Sequence, residues 1–157
     1  MPAPAAFRRP RPDEAAAITA LALRSKRHWG YDDAFMAALT EELTFRPDDL
    51  ERPSDHVEVL EVDGRMVGVL RLCRLTELAY LSDLWVEPPA MGGGYGRRLF
   101  ERAVEVARSW GKGVMELESD PFAEPFYRRL GAERVAMSPV AQVPGRAVPL
   151  MRYALWR

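Results

Sequence analysis

The sequence predicts an α+β domain, an α/β three-layer-like arrangement in which a mixed, mostly antiparallel sheet of six to seven strands carries helices on both faces. Three observations predict it. Two β-rich runs, at 56–62 and 66–75, flank Asp63-Gly64, the two-residue signal of an antiparallel hairpin. A helical stripe of Leu99, Ala103, Val106 and Trp110 separates short β-rich runs at 80–87 and 114–118, and a helical crossover makes such strands parallel neighbours at the centre of the sheet. Two further helical stripes lie ahead of the hairpin, so helices are available for both faces.

Each element follows from local chemistry. Residues 5–9 form a short first strand, and Pro10 and Pro12 punctuate the turn after it. Asp13 caps a helix over 14–26 whose buried face carries Ile18, Leu21 and Ala22, and Ser25-Lys26 closes it near Gly30. Asp32 caps a second helix with Phe35, Leu39 and Leu43 on its apolar stripe, and Pro47 stops it. Both stripes address one face of the sheet. The hairpin strands continue as a meander into 80–87, where Leu81, Leu84 and Val86 sit in a run with the β-formers Tyr80 and Trp85 until Pro88-Pro89 ends the ladder. The long helix starts at Arg97, is widened by Phe100, Val104 and Ala107, and stops at Gly111-Lys112-Gly113. A strand at 114–118, a short helix over 122–130 and strands at 132–137 and 148–155 complete the chain, with no internal repeat and no disordered linker.

Composition narrows the function classes. The 157 residues, 48% hydrophobic and 29% charged, suit one domain with a single core over 1–157. A formal net charge of -1 without a run of five like charges argues against nucleic acid or a membrane surface as partner, and the basic run Arg8-Arg9-Pro10-Arg11-Pro12 reads as a solvated strand end. No apolar stretch reaches the length of a membrane span and no charged-then-apolar leader is present, so a cytoplasmic chain is expected. Cys73 is the single cysteine, which excludes an internal disulfide and fits a reducing compartment.

The strand at 80–87 runs into Met91-Gly92-Gly93-Gly94-Tyr95-Gly96, with four glycines in five positions, immediately before the long helix. Glycines leave backbone N–H groups uncovered, and a helix N-terminus adds unpaired donors and partial positive charge, so the loop can cradle a phosphate. The Walker pattern fails because Arg97-Arg98 stands where Lys-Ser/Thr is needed, and the dinucleotide fingerprint fails because the third glycine position is Arg97. A second stretch, Asp120-Pro121-Phe122-Ala123-Glu124-Pro125-Phe126-Tyr127-Arg128-Arg129-Leu130-Gly131-Ala132, follows the next strand. The two stretches together resemble motifs of the GCN5-related N-acetyltransferase superfamily. The first matches its loop, Gln/Arg-x-x-Gly-x-Gly/Ala, at Gly94 and Gly96, with Met91 in place of Gln or Arg. The second matches Asn-x-x-Ala-x-x-Phe-Tyr-x-x-x-Gly-Phe/Ala, with Asp120 in place of Asn, which keeps an acceptor and loses the amide donor.

The resemblance implies the acyl-CoA N-acyltransferase fold with a splayed parallel strand pair, acetyl-CoA as co-substrate, no metal, and direct transfer of acetyl to a primary amine of a small molecule in a ternary complex. It implies a cofactor site of Leu84, Trp85, Val86, Met91, Gly92, Gly93, Gly94, Tyr95, Gly96, Arg97, Asp120, Phe126 and Tyr127. Free N–H groups near Leu84 and Trp85 would receive the carbonyl oxygen, and Tyr127 would protonate the leaving thiolate; its spacing alone favours an aromatic packing a short helix, and the two motifs in order reverse that ranking. Asp83 and Glu118 are candidate general bases, each also readable as a solvated strand acid or an Arg partner. His28 is a third candidate base, in the turn between the first two helices, while His56 merely starts a strand.

Cys73 reads as an ordinary core thiol and not as an acyl acceptor, since no His is near it in sequence. Trp29, Tyr31 and Arg146 are the candidate acceptor-site residues, with Arg146 able to hold a carboxylate; packing and solvated readings stand beside each. A homodimer is compatible with this fold. A non-catalytic acyl-CoA-binding sensor or regulatory module, and a structural domain with a decayed loop, are the alternatives.

Overall fold

The computed structural model describes residues 4–156. The chain runs through strand β1 (Ala5–Arg8), helices α1 (Ala15–Arg27) and α2 (Asp33–Leu43), strands β2 (Asp55–Val62), β3 (Arg65–Arg74) and β4 (Ala79–Val86), helix α3 (Tyr95–Ser109), strand β5 (Val114–Glu118), helix α4 (Glu124–Arg129), and strands β6 (Glu133–Pro139) and β7 (Ala147–Ala154). One seven-stranded sheet follows in the order β1-β2-β3-β4-β5-β7-β6, with β4 and β5 parallel and every other neighbouring pair antiparallel. The expected mixed, mostly antiparallel α+β sheet with one parallel pair is the observed one.

Alternation along the strands supplies two apolar layers. Val57, Val59 and Val69 meet Ile18 and Leu21 of α1 on one face, while Leu70, Leu72, Met115 and Leu117 meet Leu99, Phe100, Ala103 and Ala107 of α3 on the other. Each fully buried Leu or Phe here contributes about 1.5–3 kcal/mol relative to exposure, which is what holds helices to both faces. At Gly68 on β3, an added Cβ would sit 2.7 Å from Leu99 Cδ1 and 3.1 Å from Trp85 O, so glycine lets α3 lie close against the sheet. The hairpin turn is made by Asp63 (φ 53°) and Gly64 (φ 73°), both left-handed as a two-residue turn requires.

Boundaries differ from the sequence expectation where capping was misread. Asp13 lies in a 3-10 turn, Pro12–Glu14, and the residue preceding α1 is Glu14, which accepts a hydrogen bond from the Arg11 N–H. Helix α3 begins at Tyr95, not Arg97, because Gly94 adopts φ 83° and acts as its N-cap. The expected helix over 122–130 divides into a 3-10 turn, Pro121–Ala123, and α4. Within the basic run after β1, Arg8 pairs with Glu14 at 2.7 Å and Glu61 at 2.8 Å, so it pins β1 and the following turn instead of being merely solvated.

Two irregularities position the site. Strands β4 and β5 pair only at Ala79↔Met115 and Tyr80↔Glu116, after which β5 stays paired with β7 alone and the remainder of β4 faces open space. Opposite that gap, the β3–β4 register shifts from Arg71↔Asp83 to Leu72↔Leu81, leaving Ser82 as an extra residue, a β-bulge that re-aims the strand.

Candidate active site

A cavity of about 1130 Å³ opens where β4 and β5 part, walled by α1 and α2 on one side and by the glycine loop and the β5–α4 segment on the other. Its floor is the free edge of β4. Glu87 donates its N–H to Val67 O at 2.8 Å. Strand alternation therefore turns the Trp85 N–H toward β3 as well, and the Leu84 and Val86 N–H groups toward the gap. Val86 N–H lies 3.4 Å from Ser25 Oγ, which leaves Leu84 N–H as the freer donor. Of the two backbone donors named from the sequence, Leu84 therefore faces the cavity, whereas Trp85 contributes its ring to the wall.

At the loop end, Gly92 (φ 85°) and Gly94 (φ 83°) hold left-handed conformations that side chains resist. The first α3 backbone bond is Arg98 N–H to Gly94 O at 3.2 Å, no side chain caps the helix, and no acid sits in its first turn. The N–H groups of Gly94, Tyr95, Gly96 and Arg97 are thus left to a ligand, and the helix dipole favours an anion there. Met91, Gly92, Gly94, Tyr95, Gly96 and Arg97 all line the cavity, whereas Gly93 does not and its N–H bonds Ala90 O at 3.3 Å. A Cβ at Gly96 would lie 3.2 Å from the Phe126 ring and 3.9 Å from Val86 Cγ2, so α4 seats against the helix start at this position. Donors without a carboxylate or a cap fit a pyrophosphate, and Val86 and Phe126 supply the apolar flank for a chain attached to it.

Tyr127 of α4 is only 8% exposed, packs its ring against Phe100 and Phe126, and lines the same cavity. Its hydroxyl has no hydrogen-bond partner among the described residues and is not fully enclosed, so it opens onto the cavity. Burial first, then the charges of Asp120 and Asp83, push the phenol well above its ordinary pKa, which keeps it protonated as a donor must be.

Asp83 sits just past the bulge, accepting from Trp85 Nε1 at 3.0 Å and Ser82 Oγ at 2.9 Å. Burial raises its carboxyl pKa despite those bonds and nearby Arg71, which brings it nearer the range of a working base. Glu118 stands exposed at the end of β5, accepting from Ser138 Oγ at 2.8 Å. Glu42 of α2, not singled out in the sequence, completes this acidic wall; partial burial, then Glu118 and Asp83, push its carboxyl up. Cys73 lies near Ser82 Oγ at 3.7 Å, and burial pushes its thiol up, away from a nucleophilic thiolate. His28 stacks edge-on to Trp29 and does not line the cavity, and His56 is held between Arg9 and Glu58.

On the acceptor side, Trp29 stacks on Phe122 at 5.5 Å and both line the cavity. Tyr31 lies behind that wall: its hydroxyl donates to Asp120 Oδ2 at 2.8 Å and accepts from Arg146 Nη2 at 2.8 Å. Asp120 Oδ2 also takes Lys26 Nζ at 2.6 Å, and Oδ1 caps Phe122 N–H at 2.9 Å. The departure from Asn at this position thus has a structural partner, because a carboxylate is what a buried lysine needs. Arg146 lines the cavity with its guanidinium 4.8 Å from the Phe35 ring centroid and 5.2 Å from that of Tyr31. Lys26, Glu42 and Ser82 are the contributors that sequence reasoning missed. Only the last residues of the first two helices facing one sheet edge could have indicated Lys26 and Glu42, and no residue type marks a bulge.

The profile of the Acetyltransferase (GNAT) family matches residues 16–132. An uncharacterized N-acetyltransferase of Methanocaldococcus jannaschii is 31% identical over 94 residues, 54% of this chain and 42% of that protein. The chain spans about half the length of the curated relatives it matches. Among solved structures, the PaiA N-acetyltransferase of Thermoplasma acidophilum in complex with coenzyme A is similar over 96% of this chain and 99% of its own, with a TM-score of 0.79 at 14% identity. YncA of Salmonella typhimurium, solved with its cofactor acetyl-CoA, is similar over 98% of this chain and 95% of its own, with a TM-score of 0.69 at 21% identity. At these identities the likeness to the solved structures concerns the fold.

Proposed function

We propose that this chain, which belongs to the Acetyltransferase (GNAT) family, transfers an acetyl group from acetyl-CoA directly to a primary amine of a small molecule. The observation that carries this reading is one cavity lined by an uncapped helix N-terminus, by the free edge of β4 and by the buried residue Tyr127, whose hydroxyl has no partner among the described residues. Gly94, Tyr95, Gly96 and Arg97 hold the pyrophosphate through backbone N–H groups, and Val86 and Phe126 flank the chain attached to it. Bound there, acetyl-CoA supplies a thioester with an activated carbonyl.

The side chains divide the proton work. Asp83, directly or through a water, removes a proton from the ammonium so that its nitrogen lone pair is free to form the new C–N bond. Leu84 N–H stabilises the carbonyl oxygen as it gains charge. Tyr127 gives its proton to sulfur as the C–S bond breaks; burial holds this phenol above its ordinary pKa, so the transfer follows the negative charge growing on sulfur, and the second proton that the nitrogen loses on becoming an amide returns to the phenolate through water. Cys73 takes no part, and no acyl-enzyme forms. No group of His, Cys, Asp and Glu suited to a metal occurs among the described residues, and none of these roles calls for one.

Thermal denaturation tests the ligand. Acetyl-CoA at a hundredfold excess over its dissociation constant should add about 2.7 kcal/mol to stability, whereas ATP and NAD at the same concentration should leave the midpoint in place. A shift with ATP and none with acetyl-CoA would overturn the assignment of the loop.

A further inference from the structure

Acids in the interior of this protein are matched by cations almost everywhere. Glu14, Asp55, Glu58, Asp120 and Glu124 each meet an Arg or Lys nitrogen within 2.8 Å. Asp83 has no cation partner, and neither have the more exposed Glu42 and Glu118; the three come from β4, α2 and β5 and line one cavity, and none of them forms an ion pair among the described residues. The neighbouring cations are already engaged: Lys26 with Asp120 at 2.6 Å, and Arg71 with Asp55 at 2.7 Å. Like charges that line one cavity repel, and burial first, then the charges of Glu118 and Asp83, push the Glu42 carboxyl up. An acidic wall of this kind is stabilised by a ligand that brings positive charge.

The unpartnered Tyr127 hydroxyl, on a residue 8% exposed, shows that the same cavity is built for a ligand and marks its reacting end. One carboxylate is enough for the reacting nitrogen, and Asp83 is the one next to the free edge of β4. Glu42 and Glu118 are then left over. The ring of Tyr80, the residue at which β4 and β5 stop pairing, also lines the cavity, and an aromatic face beside two carboxylates favours an ammonium group. The other cations that line the cavity are Arg97 of α3, which pairs with Glu101 at 2.8 Å, Arg129 of α4, and Arg146, which donates to Tyr31 and lies over the Phe35 ring at the far end of α2 from Glu42.

We infer that the acceptor is an aliphatic diamine or longer polyamine, with one nitrogen acetylated at Asp83 and a second, charged nitrogen held by Glu42 and Glu118. This rests on the acetyl-transfer reading above and specifies its substrate. Glu42 and Glu118 act as binding residues in it, and Asp83 as the base.

The test is a matched acceptor series at saturating acetyl-CoA, read as thiol release: pentylamine, aminopentanol, diaminopentane and lysine. Diaminopentane should exceed pentylamine in kcat/KM by about tenfold or more, the scale of one charge-assisted hydrogen bond, and aminopentanol should behave like pentylamine. Glu42→Gln, a change on an exposed face of α2, should bring the diamine-to-monoamine ratio close to one, chiefly through a higher KM for the diamine. Glu118→Gln should reduce the same ratio and serves as the second variant. Equal rates for pentylamine and diaminopentane would overturn the diamine assignment and leave acetyl transfer standing. Faster turnover of lysine than of diaminopentane would overturn it in favour of a carboxylate read by Arg146. Tight acetyl-CoA binding with no turnover of any of the four would overturn the acetyl-transfer reading, and the acceptor assignment with it.

Discussion

Gly94→Val is expected to lower acetyl-CoA affinity about a hundredfold or more while the chain still folds. Gly94 caps α3 at φ 83°, and nothing lies within 4 Å of where its Cβ would stand, so no clash prevents folding. A β-branched residue held at positive φ costs about 1–3 kcal/mol, and relaxing to negative φ would turn the loop N–H groups away from the anion. Either course weakens the cradle, and the added side chain occupies the open space that a pyrophosphate needs. Gly64→Val in the β2–β3 hairpin is the control, since it imposes similar strain at φ 73° on a residue remote from the cavity. Calorimetric titration should show binding lost in the first variant and kept in the second. Unchanged affinity in Gly94→Val would mean that the loop is only a connection between strand and helix.

Tyr127→Phe should slow turnover by about 10²- to 10⁴-fold with acetyl-CoA affinity and stability nearly unchanged. The ring that packs on Phe100 and Phe126 is retained, and the hydroxyl that is removed has no partner among the described residues. A hydroxyl bonded within the core would instead cost about 0.5–1.5 kcal/mol of stability on removal and leave the rate alone. Turnover at the wild-type rate, measured with an amine that the wild type acetylates, would take Tyr127 out of the mechanism.

Much of this arrangement could be read from the chain because its signals are local. The glycines before α3 report a backbone that must approach a ligand, Asp63-Gly64 reports a hairpin, and the crossover from β4 to β5 fixes their parallel sense. What stayed hidden depends on contacts between distant residues. The insertion of β7 between β5 and β6 pairs Glu116 with Arg152 and Leu117 with Met151, and no periodicity in either strand announces that order. The bulge at Ser82 exists only relative to β3. Lys26 and Tyr31 look in sequence like ordinary turn residues, and only the folded chain brings both onto Asp120, 94 and 89 positions away. Glu42 is hidden for the same reason: an acid in the last turn of an amphipathic helix is usually solvated, and its place at the cavity shows only once β4 and β5 stand opposite it.

The central claim is direct acetyl transfer, and the most direct measurement follows both products when the protein, acetyl-CoA and a set of primary amines are mixed. Free thiol and N-acetylated amine should rise together in equal amounts, only when amine is present, and the protein's mass should remain that of the unmodified chain throughout. Acetyl-CoA binding without thiol release for any amine would identify a sensor and not an enzyme, and an acetylated protein intermediate would contradict direct transfer.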